Sequence, residues 1–325
     1  MYLSIVIPVY NEEQNIKPLV EEIDRALSDY PATKNNFEVI FVDDGSTDTT
    51  VDEIRKITAI NAKLVKFSRN FGQTSAMAAG IEAAEGEYLA FLDGDLQNDP
   101  SDIPMMLEKL QSEGLDMVAG RRAKRKDGML LRKIPSKIAN RLIYNVSKIE
   151  VKDYGCTLKL LKTKIAKDLD LYGELHRFIP ILAGIRGAKI AEVDVKHHPR
   201  KFGVSKYGLS RTLKVASDLL LMAFFIKYRQ KPMHLFGSLG LGSLGLGMLI
   251  SLYLFVDKFI LGESIGARPL FFAAILLIIA GIQLVATGFI AELVMRTYFN
   301  SSHSKPYIVE VTEKIGKKQG SLSSH

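Results

Sequence analysis

Two short acidic motifs contain the residues best suited to chemistry in this chain. Asp43-Asp44 and Asp93-Gly94-Asp95 each follow directly on an apolar run that predicts a buried strand. In parallel α/β sheets, ligands bind beyond the carboxyl ends of the strands, so both motifs are expected at one place. Carboxylate oxygens suit Mg²⁺ or Mn²⁺, which take one or two carboxylates together with substrate phosphates. An acidic turn alone is common in proteins and does not indicate a metal site. Because two strands both end in acidic motifs, we expect a metal site here, with Asp93 and Asp95 as ligands.

Basic residues that could neutralise a phosphorylated ligand are concentrated in two segments. The segment 121–133 contains seven basic residues and one acidic residue, and it follows a predicted strand. A solvated basic loop is the alternative interpretation of this segment. The segment 197–207 combines cations with Gly203, which allows a sharp turn. The candidate phosphate-binding residues are Arg121, Arg122, Arg132 and Lys133 in the first segment and Arg200 and Lys206 in the second.

The composition narrows the class of protein. Lys and Arg number 43 against 36 Asp and Glu, a formal net charge of +7 that favours an anionic partner. No aromatic residue is interleaved with the basic segment 121–133 for stacking on bases, so a nucleic-acid partner is not expected. A single cysteine, Cys156, excludes an internal disulfide framework and a multi-cysteine metal site. The opening residues, Met1–Tyr10, predict a strand rather than a signal peptide.

The part of the chain before residue 208 predicts an alternating α/β domain. Short apolar runs indicate the strands of a largely parallel sheet: Leu3–Val9, Glu38–Val42, Lys63–Phe67, Tyr88–Leu92 and Met117–Ala119. Helical patterns fill the gaps between them: Asn15–Leu27, Asp48–Ile60, Gln73–Ala84 and Ile103–Glu113. This alternation with short links is typical of a doubly wound, Rossmann-like sheet. This part of the chain contains neither a GxGxxG nor a GxxxxGKS/T loop, so metal and cations would have to hold a diphosphate.

Two long apolar stretches predict a transmembrane hairpin. Leu235–Val256 and Pro269–Ala291 are uncharged over 22 and 23 residues, and about 20 residues cross the hydrocarbon core of a bilayer. Basic residues outside the hairpin predict that both termini are cytoplasmic in a multi-pass protein of the cell membrane. The expected organisation is a cytoplasmic domain at 1–207, amphipathic interfacial helices at 208–231, two transmembrane helices at 232–299 and a polar cytoplasmic tail at 300–325.

Four motifs, in order along the chain, resemble those of glycosyltransferase family 2. They are Ser4–Glu12 (SIVIPVYNE), Val42–Ser46 (VDDGS), Asp93-Gly94-Asp95, and Arg200 with Gly203 and Ser205-Lys206-Tyr207. More narrowly, the chain is similar to polyisoprenyl-phosphate glycosyltransferases, the relatives of dolichol-phosphate mannose synthase. The two C-terminal spans and the stretch Phe71–Gly80 (FGQTSAMAAG) carry this second likeness. The resemblance covers residues 1 to about 295 and implies a GT-A fold.

The resemblance also implies roles for the residues that match these motifs. The nucleoside pocket would be lined by Pro8, Tyr10, Glu12, Val42, Asp43 and Asp44, with Gln97 near the sugar and Asp93 and Asp95 on the metal. Arg121 would contact the diphosphate or the acceptor phosphate, and the acceptor phosphate would also meet Arg122, Arg132 and Lys133. Arg200 and Lys206 would close over the site, and Asp153 matches a catalytic position near the active centre.

The activity implied is the inverting transfer of one sugar from a nucleotide sugar to a polyisoprenyl phosphate. UDP-glucose and undecaprenyl phosphate are the expected substrates, with GDP-mannose and UDP-N-acetylglucosamine as alternative donors. The sequence has no tryptophan, so it lacks the QxxRW motif of processive family-2 synthases, and a single transfer is expected. A nucleotidyltransferase would need a glycine-rich donor loop ending in lysine, and a basic membrane scaffold would not need paired acids at strand ends. The resemblance further implies a homo-oligomer, a tetramer.

Overall fold

A twisted sheet is the frame of the N-terminal part of the chain. The computed structural model describes residues 1–122, 151–171, 173, 175–199, 232–262, 264–266, 268–300 and 309–316. These residues form two units: those up to 199 together with 309–316, and those from 232 to 300. The strands found among them are β1 Leu3–Val9, β2 Phe37–Asp43, β3 Ala62–Phe67, β4 Tyr88–Phe91, β5 Met117–Arg122, β6 Lys159–Lys162, β7 Ile190–Val195 and β8 Val309–Ile315.

The order of these strands across the sheet is β7-β5-β6-β4-β1-β2-β3-β8. β1 pairs in parallel with β2 and β4, and β2 pairs in parallel with β3. Every residue of β2 is buried, which explains its mostly apolar sequence, since helices cover both faces of such a sheet. β6 runs antiparallel between β4 and β5, and β5 pairs in parallel with β7. The predicted α/β class is confirmed.

The helices of this unit follow the strands in the order that the sequence predicts. They are α1 Glu13–Ser28, α2 Thr50–Arg55, α3 Gln73–Ala83, α4 Ile103–Ser112, α5 Thr163–Lys167 and α6 Ile179–Ile185. α1 buries an apolar stripe that includes Ile16, Leu19 and Ile23, each with no exposed surface, against the core under the sheet. α2 is shorter than the pattern predicts, and it ends at Arg55. α3 follows the predicted boundaries to within one residue.

The sequence pattern predicts a polar tail after the second span and marks no strand in it, whereas residues 309–315 form β8. There, β8 pairs antiparallel with β3 and forms one edge of the sheet. Arg55 and Glu313 form an ion pair at 2.7 Å, and Lys66 and Glu310 form another at 2.8 Å. The tail therefore belongs to the same unit as the N-terminal strands. The end of the chain after Gly316 lies outside the described residues.

Gly80 allows α3 to lie directly on β1. A Cβ at this position would lie 2.2 Å from Cγ1 of Val6. In an open helix, Gly→Ala stabilises by about 1 kcal/mol. At this position Gly80→Ala is expected to lower the free energy of unfolding by about 1–3 kcal/mol, because the overlap must be relieved by moving well-packed side chains. Urea unfolding in detergent measures the change.

The double variant Gly80→Ala/Val6→Ala is the control for this prediction. Val6→Ala removes the atoms that the new methyl group would overlap. The free energy of unfolding should therefore fall by less in the double variant than the sum of the falls in the two single variants. Costs that simply add would show that the overlap between α3 and β1 is not what Gly80 avoids.

The second unit is a pair of long apolar helices, α7 Pro232–Phe259 and α8 Pro269–Asn300. They pack antiparallel, since Gly240 meets Gly281 while Gly247 meets Ala274 and Ile278. A Cβ on Gly240 would lie 2.8 Å from the carbonyl oxygen of Gly281, so the glycines set a close helix contact. Within the described ranges these two helices are long and apolar enough to cross a membrane. They contain both predicted spans, while the predicted interfacial helices at 208–231 lie outside the described residues.

Candidate active site

A cavity of about 530 Å³ opens at the carboxyl ends of the central strands. One wall comes from the ends of β1 and β2, the segment after β4 forms the middle, and the opposite wall comes from the end of β5 and the start of β6. Of the residues predicted from sequence, the cavity brings together Pro8, Tyr10, Glu12, Asp44, Asp93, Asp95, Gln97 and Arg122. Strands far apart in sequence thus place acidic and basic side chains around one space.

Asp93 and Asp95 line the cavity as an acidic pair, in which Asp95 is buried and Asp93 is partly buried. Burial and the negative charge of Asp95 raise the pKa of Asp93 to about 6. The side-chain amide of Gln73 donates a hydrogen bond to Oδ1 of Asp93 at 3.0 Å, and the backbone N–H of Gln97 donates to Oδ1 of Asp95 at 3.2 Å. Leu96, directly after Asp95, has a φ of 61° in the left-handed region, so the chain turns sharply after the acidic motif.

This acidic pair suits a divalent cation that also binds substrate. Asp93 and Asp95 form a like-charge pair that a metal would neutralise, and the charge of Asp95 adds to burial in raising the pKa of Asp93. Among the described residues no cluster of three or more His, Cys, Asp or Glu side chains could hold a metal by itself. Mg²⁺ and Mn²⁺ need only one or two protein carboxylates and complete their coordination shell with water and phosphate oxygens. Asp93 and Asp95 therefore suit either ion.

At the end of the cavity nearest β1 and β2, loop backbone groups donate hydrogen bonds that fix the side chain of Asp44. The Asp44 carboxylate accepts from the backbone N–H of Phe71 at 2.7 Å and of Gly72 at 3.0 Å. Burial nevertheless raises the pKa of Asp44 above its ordinary value. Val42 and Asp43 are fully buried and do not line the cavity. Asp43 instead accepts a hydrogen bond from the N–H of Ser46 and stabilises the turn.

The prediction places Arg121 at the substrate phosphates, but of the two adjacent arginines in β5 it is Arg122 that lines the cavity. Successive side chains of a strand point to opposite faces, so only one of the two can face the site. Arg121 makes an exposed ion pair with Asp194 at 2.6 Å. Arg122 makes two side-chain hydrogen bonds to Asp153, at 2.7 and 2.8 Å. Asp153 therefore orients Arg122 and is not itself among the lining residues.

Several lining residues escape the sequence analysis. Gln73, Tyr154, Thr157, Lys159, His176 and Arg177 all face the cavity. Burial lowers the pKa of Lys159, whose ammonium group donates to the carbonyl of Cys156. The sequence does contain a signal for Lys159, because a lysine within the apolar run Leu158–Leu161 indicates a buried charge, and a buried charge requires a partner. Burial also raises the pKa of Tyr154 to about 12, which keeps its hydroxyl protonated.

Residues 196–198, which precede Arg200 in the chain, are hydrogen-bonded to the segment that follows the acidic motif. The N–H of His198 donates to the carbonyl of Gln97 at 2.8 Å, and the N–H of Lys196 donates to Asp102 at 2.7 Å. His198 also lies 3.1 Å from the Asp99 carboxylate. Arg200 and Lys206 themselves lie outside the described residues, as do Arg132 and Lys133, so the roles predicted for these four residues stay predictions.

The affinity of the cavity for Mn²⁺ should fall in mildly acidic solution. Protons compete with the metal for Asp93, whose pKa is raised to about 6, so the metal-competent carboxylate is depleted below that pH. The dissociation constant is expected to be about fourfold higher at about pH 5.5 than at about pH 7.5. Calorimetric titration of the protein with Mn²⁺ measures both values. A constant that does not change over this range would contradict the assignment of Asp93 as a ligand.

Comparison with known proteins supports the interpretation of this geometry. The model of the family named glycosyl transferase family 2 matches residues 4–170. A dodecaprenyl-phosphate galacturonate synthase of Rhizobium johnstonii is 49% identical over 94% of this chain and 91% of its own length. An undecaprenyl-phosphate 4-deoxy-4-formamido-L-arabinose transferase of Shewanella sediminis is 34% identical over 95% of this chain and 92% of its own.

A solved structure confirms the fold. Glucosyl-3-phosphoglycerate synthase from Mycobacterium tuberculosis, crystallised with Mn²⁺, uridine diphosphate and phosphoglyceric acid, superposes with a TM-score of 0.50. It is 18% identical, and the match covers 68% of this chain and 78% of that one. The predicted GT-A fold is therefore confirmed. Together with the full-length relatives, these matches show that the chain belongs to glycosyl transferase family 2 and is one of its polyisoprenyl-phosphate glycosyltransferases.

Proposed function

We propose that this enzyme transfers one hexuronic acid residue, galacturonate, from a uridine diphosphate sugar to a polyisoprenyl phosphate at the cytoplasmic face of a membrane. The observation that supports the proposal best is the composition of the cavity lining. It combines the acidic pair Asp93 and Asp95 with predicted nucleoside residues on one side and with Arg122 and Lys159, from β5 and β6, on the other. The galacturonate synthase at 49% identity supports the choice of sugar.

The acceptor phosphate is the nucleophile of the proposed reaction. One of its oxygens attacks the anomeric carbon, a new carbon–oxygen bond forms, and the bond from that carbon to the nucleoside diphosphate breaks. A phosphate monoester has a second pKa near 6 and is largely dianionic at neutral pH, so no strong general base is required. A Mg²⁺ or Mn²⁺ ion held by Asp93 and Asp95 would supply positive charge to the departing diphosphate. Attack opposite the leaving group inverts the anomeric centre, as the family resemblance implies.

Arg122 has the clearest role among the residues of this chain. Its guanidinium lines the cavity and is held by two hydrogen bonds to Asp153. A fixed cation loses little entropy on binding, so it stabilises phosphate charge that grows during the reaction. Asp153 thus acts as a positioning residue, and Arg122 contacts the acceptor phosphate or the leaving diphosphate.

The membrane topology follows from the two apolar helices and β8. β3 and β8 belong to one sheet, and the chain between them includes both helices long enough to span a bilayer. The chain before the first helix and the chain after the second helix both contribute strands to this sheet. We therefore propose two membrane crossings, with both termini on the cytoplasmic side. Basic residues before the first span agree with this orientation. The tetramer implied by the family resemblance stays a prediction.

Transfer from a panel of labelled donors tests the proposal. The purified enzyme in lipid vesicles with undecaprenyl phosphate and Mn²⁺ would be given UDP-galacturonate, UDP-galactose, UDP-glucose, UDP-N-acetylglucosamine and GDP-mannose. We expect UDP-galacturonate to give the highest kcat/KM, by about tenfold or more. Faster transfer from UDP-glucose would restore the donor expected from sequence and overturn the uronate part. A folded enzyme that makes no lipid product from any donor would overturn the proposed acceptor.

A further inference from the structure

The candidate metal ligand Asp93 is held by two side chains from distant parts of the chain. Its Oδ1 accepts a hydrogen bond from the side-chain amide of Gln73 at 3.0 Å. Thr157, on the segment before β6, also hydrogen-bonds this carboxylate. Asp95, by contrast, accepts a hydrogen bond from the backbone N–H of Gln97, which lies only two residues further along the chain. The orientation of Asp93 therefore depends on tertiary contacts, among them the one from Gln73.

The segment directly before Gln73 is fixed to the end of β2. The carboxylate of Asp44 accepts hydrogen bonds from the backbone N–H groups of Phe71 and Gly72, at 2.7 and 3.0 Å. Gly72 has a φ of 93°, which residues other than glycine rarely adopt, and α3 begins at the next residue, Gln73. The point at which Gln73 enters α3 is therefore set by Asp44.

The residue after Gln73 is anchored as well. Thr74 is buried, and its Oγ1 lies 2.7 Å from Nδ1 of His176, which lines the cavity. Further along α3, Gly80 lies directly on β1. Because α3 is held at both places, the backbone of Gln73 is fixed and its amide reaches Asp93 from a defined position.

An amide is suited to this position because it donates a hydrogen bond without adding charge. The NH₂ group of a glutamine donates and an ionised carboxylate only accepts, so the two groups are complementary. A lysine or arginine in place of Gln73 would neutralise the acidic pair and compete with a divalent cation. A carboxylate offers about four lone-pair sites, so Asp93 can accept from Gln73 and Thr157 and still bind a metal.

We propose that Gln73 is a positioning residue that holds Asp93 in the orientation a divalent cation requires, an inference that rests on the metal-binding role proposed for Asp93. Carboxylates that bind metals are themselves hydrogen-bonded, and loss of such a partner typically weakens metal affinity by about 10- to 100-fold. Gln73 acts through Asp93 and not on the substrate. The short segment Phe71–Gln73 contacts both Asp44 and Asp93, so it ties the predicted nucleoside end of the cavity to the metal pair.

Gln73→Met tests this role, because methionine keeps a similar side-chain length and removes the donor. Calorimetric titration of the full-length enzyme with Mn²⁺ should give a dissociation constant about 10- to 30-fold higher than that of the wild type. The dissociation constant of UDP measured without metal should change by less than about threefold, since Gln73 acts through the metal ligand. The Mn²⁺ concentration for half-maximal sugar transfer should rise by the same factor as the Mn²⁺ dissociation constant. Gln73→Asn keeps the amide on a shorter side chain, so its Mn²⁺ affinity should fall between those of the wild type and Gln73→Met.

A second glutamine provides the matched control. Gln111 in α4 donates its side-chain amide to the hydroxyl of Tyr2 and does not line the cavity, so Gln111→Met should bind Mn²⁺ as the wild type does. A melting temperature equal to that of the wild type verifies that each variant is folded, and Gln73→Asn carries the test if Gln73→Met does not fold. An unchanged Mn²⁺ affinity in a folded variant, or an equal loss of UDP affinity without metal, would overturn the inference alone. A wild-type enzyme that binds no Mn²⁺ would overturn the metal-binding role of Asp93 itself, and this inference with it.

Discussion

Asp95→Asn is expected to lower sugar transfer by about 10³-fold or more while leaving the protein folded. The substitution preserves the shape of the side chain and the hydrogen bond that it accepts from Gln97, but it removes one of the two charges that hold the metal. The melting temperature in chelator should change little, because Asp93 and Asp95 carry like charges, so removing the charge of Asp95 removes no attraction between them. Initial rates with saturating donor and Mn²⁺ measure the loss.

Asp99→Asn is the matched control for this substitution. Asp99 lies four residues further along the same loop, where its carboxylate accepts from the N–H of Ser101 and lies 3.1 Å from His198, but it does not line the cavity. Its variant should retain activity within about tenfold of wild type. An Asp95→Asn enzyme with normal activity and normal Mn²⁺ affinity would show that the metal site is elsewhere.

Arg122→Met is expected to lower kcat/KM by about 10²-fold or more, whereas Arg121→Met should change it by less than about threefold. The two arginines are adjacent in β5, and each is paired with an aspartate, but only Arg122 lines the cavity. The Arg121–Asp194 pair is exposed to solvent, and such pairs contribute little to stability or function. Parallel kinetic measurements on the two variants give the comparison.

The double variant Arg122→Met/Asp153→Asn separates catalysis from folding. Arg122→Met alone leaves the carboxylate of Asp153, whose side chain is only 10% exposed, without the guanidinium that it binds, which destabilises the fold. Asp153→Asn removes that charge, so it should restore stability without restoring activity. Recovery of activity in the double variant would mean that Arg122 supports the structure only. A large loss in Arg121→Met would support the contact predicted from sequence instead.

The central strands were predictable because they are buried on both faces. β1 and β2 are mostly apolar, and the predicted boundaries agree with the observed ones to within one residue. β7 and β8 lie at the two edges of the sheet, where solvent allows polar residues, so their mixed sequences gave no comparable signal. β6 has four residues and begins and ends with lysine, which conceals a strand that lies between β4 and β5.

The acidic half of the site was predictable, and much of the cationic half was not. Asp93 and Asp95 follow a clear strand, and motif spacing alone places them at its end. Whether Arg121 or Arg122 faces the cavity depends on the register of β5 against β7, in which Arg121 pairs with Asp194. No local pattern marks Arg177, because it reaches the site through tertiary packing of its turn on α3.

Formation of a sugar phosphodiester on a lipid is the measurement that tests the account most directly. The enzyme would be incubated in vesicles with labelled UDP-galacturonate and Mn²⁺, with either polyisoprenyl phosphate or the matching polyisoprenol as acceptor. Mass spectrometry of the lipid fraction should find one uronic acid joined through a single phosphate to the polyisoprenyl chain, only when the acceptor carries the phosphate. Equal transfer to the alcohol, or transfer of sugar together with phosphate from the nucleotide, would contradict a mechanism in which the lipid phosphate attacks the anomeric carbon.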